Sequence, residues 1–198
     1  TYSDLTDKRF ELLVLESPVL NAFAAPGGIV GVNTGTFLIA HSEQQLSSIL
    51  AHEFAHLSQR HYARSVQKQK NDSLASLAAL LAGVVIASTS GNGDAGIAAI
   101  AASQAAAIES RLRFSRHMES EADRLGMQTL VKAGIDPNAM PEMFEHLLQA
   151  SRYRSKIPDL LLSHPVTARR ILDSRLRPKL HTRIKTQRNT LAHKARDR

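Results

Sequence analysis

The 198-residue chain contains no cysteine. That absence excludes a disulfide framework, thiolate metal ligands and a cysteine nucleophile, and it leaves the redox compartment unreadable from thiols. Long apolar runs are missing as well. LASLAALLAGVVIAS (74–88) and AGIAAIAASQAAAI (95–108) are split by TSGNGD, and each is shorter than the roughly 20 residues that cross a bilayer. The expectation for 74–108 is an apolar helical hairpin packed on the rest of the protein, with contact to a membrane surface as the alternative, and not a transmembrane pair. No tryptophan is present, and the basic C-terminal stretch holds no aromatic residue at all. It therefore lacks stacking platforms for bases, and no nucleic-acid module is recognisable, so no nucleic-acid partner is expected. The chain opens at Thr1 without Met or a signal sequence, which reads as a processed or trimmed product.

The net charge of +7 is unevenly placed: residues 174–198 hold nine Lys and Arg against Asp197 alone. The preceding body is close to neutral. With 43% hydrophobic residues that body can bury a core without disulfide support. Residues 1–177 are read as one domain, and 178–198 as a basic tail or linker leading toward a further domain.

Residues 52–56 read His-Glu-Phe-Ala-His. On a helix, positions four apart lie one turn above each other, so His52 and His56 can aim two imidazoles at one metal ion. Glu53 can reach a water held there. Two histidines and a glutamate at this spacing are the pattern of a zinc metallopeptidase. Ser42 and Gln45 form a Ser-x-x-Gln capping box, and Leu46, Ile49, Leu50, Phe54 and Leu57 follow at helical spacing. No Pro or Gly interrupts from Ser42 to Lys70, which predicts one long helix with the motif inside it.

A third ligand is offered by RLRFSRHMESEAD (111–123). Glu119 and Asp123 lie one turn apart, so Glu119 can bind the metal while Asp123 accepts the free ring N–H of a ligating histidine. Glu121 points to another side. The competing reading makes all three a solvated acidic face paired with Arg116 and Arg124.

These blocks carry a resemblance. NAFAAPGGIVGVNTG (21–35), HEFAH, ESEAD (119–123), DPNAMPEMFEHLL (136–148) and the LLLSHP that ends in His164-Pro165 are together similar to the HtpX/CAAX-protease-type zinc metallopeptidases. Within these they resemble the periplasmic branch of β-barrel assembly-enhancing proteases of Gram-negative bacteria. The resemblance implies one zinc ion per chain on His52, His56 and Glu119, Glu53 as the catalytic acid/base, and a further metal-facing histidine at His164. It implies a periplasmic endopeptidase for misassembled or unfolded envelope proteins, acting by water-mediated peptide hydrolysis. Contact with the outer-membrane assembly machinery would run through a tetratricopeptide-repeat domain that this sequence does not contain.

Two roles for His164 stay open: a fourth zinc ligand that holds the enzyme inactive, or a donor to the oxyanion; a helix cap is the plain alternative. A chaperone or assembly factor with a latent or structural zinc site is the alternative function. The fold expected is mostly α with a small β-sheet, an α+β, gluzincin-like zincin domain. A helix is expected from Asp4 to Glu16, strands at 19–24 and 28–33, and a last helix opened by His164-Pro165. Gly28, Ile29, Val30, Gly31, Val32 and Asn33 are expected to form an exposed edge strand for the substrate backbone. His61 is expected at the surface.

Overall fold

The computed structural model describes residues 9–90, 93–152 and 158–177. The basic tail at 178–198 lies outside them. Among the described residues the strands are β1 (Glu11–Leu15), β2 (Ala22–Ala25) and β3 (Ile29–Asn33). The helices are α1 (Thr34–Phe37), α2 (Glu43–Ser58), α3 (His61–Ser90), α4 (Gly93–Lys132), α5 (Ala139–Arg152) and α6 (Asp159–Ser163), with α7 over 168–177. The fold is mostly α with a small sheet, as the composition and periodicity predict. By its contacts the chain divides into two compact units, Thr1–Gln59 with Ser120–Arg198, and Arg60–Glu119.

In the first unit the sheet order is β1-β3-β2, with β1 parallel and β2 antiparallel to β3. The β2–β3 turn passes through Gly27 (φ 89°) and Gly28 (φ 84°), which L side chains rarely tolerate. A Cβ on Gly28 would also stand 2.9 Å from the Arg9 carbonyl. Two expectations fail here. Residues 11–15 form a strand, not part of a helix, with Leu12 and Val14 outward. The parallel partner β3 supplies a ladder that local sequence cannot announce. The second correction follows from the first. Ile29–Asn33, with Gly28 before it, is no exposed edge: it is the middle strand, and both its ladders are used.

Helix α2 starts as its sequence predicts. Ser42 caps it, its Oγ accepting from the Gln45 amide at 3.2 Å, while Gln45 Oε1 accepts from the His41 amide at 3.0 Å. It does not continue to Lys70. Arg60 adopts φ 53°, a left-handed conformation costing about 1–2 kcal/mol for a residue with a Cβ, and α3 begins afresh at His61. Met140, Met143, Phe144 and Leu147 line one side of α5 and join Ile49, Ala51, Leu130 and Leu160 in the core. Helix α4 ends through Gly134 (φ 75°), with the Ile135 amide donating to the Leu130 carbonyl at 2.9 Å, a glycine C-cap. His164 does not open the last helix. It caps the C-terminus of α6, and Thr167 Oγ1 accepts from the Arg170 amide at 3.2 Å to start α7.

In the second unit α3 and the first part of α4 pack through small residues. A Cβ on Gly96 would lie 2.5 Å from the Gly83 carbonyl oxygen and 2.7 Å from Ala87 Cβ. Leu74, Leu77, Leu81, Val84 and Ile97 stay exposed. Helix α3 extends well beyond the apolar run, and at 30 residues it is long and apolar enough to cross a membrane by length and composition. Run length understated it, because a helix continues through small and polar residues at either end of a run.

Candidate metal centre

Helix α2 packs its apolar stripe on the core through Ile49, Leu46 and Leu50. Ile49 is buried, but Leu46, Leu50, Phe54 and Leu57 are half-buried, and the deepest positions include Ala51, His52, Glu53 and Ala55. The motif therefore faces the interior, where rotamers are fixed by packing. His52 Nε2 and His56 Nε2 converge to 3.0 Å. His52 Nδ1 lies 3.0 Å from Asp123 Oδ1. A carboxylate can only accept there, so Nδ1 carries the proton and Nε2 presents its lone pair.

Glu119 and Asp123 are buried at 6% and 3% exposure, while Arg124 is exposed and Glu121 half-buried. This removes the solvated acidic face; Arg116 instead pairs with Glu109 at 3.2 Å. His52, His56, Glu119 and His164 each offer one ligand atom, and all four atoms lie within 4.8 Å of one another. Three imidazoles and a carboxylate, with no thiolate, make a donor set suited to zinc or a similar first-row divalent ion. The residues present fit such an ion.

Asp123 is held by Arg170. Arg170 Nε donates to Oδ2 at 2.8 Å and Nη2 to Oδ1 at 2.6 Å, while Nη1 donates to the Pro165 carbonyl at 2.9 Å. Burial alone would raise the Asp123 carboxyl; the Arg170 guanidinium and then His52 outweigh burial and hold it below the ordinary aspartate value. A depressed carboxylate stabilises the fold above its unfolded pKa, and that contribution is lost as pH falls through the lowered one. Neither burial nor partner was legible for Arg170. It stands next to Arg169, whose side chain is 90% exposed.

Glu53 is 1% exposed. His164 Nε2 lies 3.6 Å from Glu53 Oε1, and its ring centroid is 4.8 Å from that of His56 and 5.2 Å from that of His52. Beside them is a cavity of about 20 Å³, walled mainly by Ile49, Met143, Phe144, Leu147, Leu160 and Val166, with room for about one water. Gly126 is a second residue that sequence reading passed over. A Cβ there would stand 3.2 Å from both Ala51 C and His52 N, so the missing side chain lets α4 run close along the first histidine of the motif. His61 is buried at 3% exposure, against the surface expectation; it opens α3, where the chain turns at Arg60. His41 and His146 form a ring pair at 4.1 Å, with His146 Nδ1 3.0 Å from Gln45 Oε1.

Known proteins resemble this chain over most of its length. The model of peptidase family M48 matches residues 2–176. A "putative beta-barrel assembly-enhancing protease" of Vibrio cholerae is 43% identical over 189 residues, covering 96% of this chain and 39% of the relative. The "beta-barrel assembly-enhancing protease" of Escherichia coli strain K12 is 36% identical over 168 residues, 85% of this chain and 34% of the relative. The "mitochondrial metalloendopeptidase OMA1" of Schizosaccharomyces pombe is 31% identical over 169 residues, 85% of this chain and 47% of the relative. The chain thus spans less than half the length of these relatives.

Proposed function

The chain belongs to peptidase family M48, and from that membership we propose that it is a zinc-dependent endopeptidase acting on unfolded or misassembled envelope proteins in the periplasm. The observation that carries the reading is the convergence of His52, His56, Glu119 and His164 beside a buried Glu53. The names of the bacterial relatives support the envelope setting. Contact with the outer-membrane assembly machinery is part of the same proposal and rests on those names.

His52, His56 and Glu119 would hold the metal, with the His52 tautomer set by Asp123. A zinc ion held there would supply Lewis acidity toward the scissile carbonyl and would lower the pKa of water to about 7. Glu53 takes the proton from the attacking water and hands it to the leaving amine, so the peptide bond breaks as a carboxylic acid and an amine form. Its burial keeps competing solvent from the carboxylate. His164 is read as a fourth ligand that keeps the site closed until its segment moves, because its ring nitrogen already lies within the donor set. The same closure favours the second reading, a chaperone or assembly factor with a latent site.

Cleavage of casein with and without chelator, for the parent and H164A, separates these possibilities. The expected result is chelator-sensitive cleavage that rises in H164A, with slightly weaker zinc binding. A fall of about 10²–10³ with zinc retained would make His164 an oxyanion donor. No cleavage by either protein would favour the chaperone reading, and no change in either quantity would return His164 to a capping role.

The exposed apolar residues of α3 and α4 support contact with a membrane surface. Between 73 and 108 the sequence carries Asp94 as its one charge, whereas Arg64, Lys68 and Lys70 with Asp72, and then Glu109 with Arg111, Arg113 and Arg116, flank it and leave each flank net positive. Co-sedimentation with vesicles of one-third anionic lipid is expected, and it should weaken in L77D/V84D. Equal binding by the variant would defeat this contact.

A further inference from the structure

We propose that Arg170 is a positioning residue that ties the His164 segment to the carboxylate orienting His52, so that both ends of the donor set are held or released together. This rests on the reading of His164 as an occluding donor, and it goes beyond that reading by naming what holds His164 in place.

One guanidinium makes both connections. Its Nε and Nη2 take the two oxygens of Asp123 as a fork, and its Nη1 takes the carbonyl of Pro165, one residue past His164. The Phe144 ring lies under it at 4.7 Å, which fixes the plane of the fork. Arg170 and Asp123 are both buried, at 8% and 3% exposure, so neither hydrogen bond is diluted by solvent. His164 is tethered on its other side as well, its amide donating to the Leu160 carbonyl at 2.8 Å. For His164 to leave the donor set, its backbone must turn. The Pro165 carbonyl must then either abandon Nη1 or draw the guanidinium with it. If the guanidinium is drawn, the hold on Asp123, and through it on His52, loosens.

The fork also explains why arginine is needed. A lysine ammonium is a point charge that can meet one carboxylate oxygen, but it cannot serve both oxygens and a carbonyl in one plane. Arg170→Lys therefore keeps the charge and breaks the tie.

The test compares R170K with the parent, each in the native and in the H164A background. Three quantities are read: hydrogen exchange of the amides at 161–164, zinc release to a chelator, and basal casein cleavage. In R170K, exchange at 161–164 should rise roughly tenfold, the loss of about one charge-assisted hydrogen bond, with faster zinc release and higher basal cleavage. In the H164A background R170K should still speed zinc release, through Asp123, but add nothing to cleavage. Unchanged exchange at 161–164, or an equal gain in cleavage in both backgrounds, would overturn the proposal. If H164A alone leaves cleavage unchanged, the occlusion reading fails, and Arg170 is judged by exchange and zinc release. Should R170K fold poorly, F144L removes the ring beneath the guanidinium and spares both hydrogen-bond partners. It should raise exchange in the same segment, and its failure to do so would count equally against the tie.

Discussion

Glu53→Gln is expected to keep about one zinc per chain while casein cleavage falls by about 10²–10⁴-fold, the range for loss of a general base. The amide keeps the shape of the carboxylate, so the packing around a side chain only 1% exposed is preserved. It cannot take up a proton. The approach of His164 Nε2 to Glu53 Oε1 is 3.6 Å, longer than a hydrogen bond, so an amide oxygen at the same place should leave the local geometry intact. Replacing a buried carboxylate by a neutral amide also removes a desolvation cost, so the melting temperature should hold or rise. Metal content by elemental analysis and cleavage rate on the same preparation check this. Cleavage at the parental rate would remove Glu53 from the chemistry and with it the proposed mechanism.

The second large effect is expected from the ligands. Glu119→Ala and His56→Ala should each take zinc content from about one per chain to near zero and abolish cleavage. Both should lower the melting temperature, because an ion bound only by the folded state contributes its binding free energy to folding. Chelation of the parent should reproduce the loss of cleavage and part of the destabilisation. Glu119 is the sharper test, since Glu121 stands two residues away and is half-buried. Full zinc in Glu119→Ala would move the ligand to another carboxylate and sink the assignment.

What these two experiments probe was legible to different degrees. Ser42 and Gln45 announce α2, and the four-residue step from His52 to His56 places two rings on one face. Both are consequences of helix geometry acting over a single turn. The same holds for Glu119 and Asp123. Burial was harder to read. The apolar stripe of α2 does pack on the core, yet it gave no sign that His52 and Glu53 are buried as well, because a helix surrounded by partners buries its motif side too. The edge-strand assignment failed for a related reason. Nothing between Gly28 and Asn33 reveals that residues 11–15 will lie alongside as a parallel strand, since that pairing depends on segments apart in the chain.

By itself, then, the sequence determined the mostly helical class, the capped helix bearing His52, Glu53 and His56, and the turn-spaced pair Glu119 and Asp123. Each depends on residues within one or two helical turns, where the backbone's own periodicity dictates which side chains meet. Only the tertiary structure decided that β3 is central and that Arg170 rather than its exposed neighbour Arg169 grips Asp123 across 47 residues. Those choices are made by burial and strand pairing, which act between segments far apart in the chain, and one arginine looks like the next until a buried carboxylate selects it.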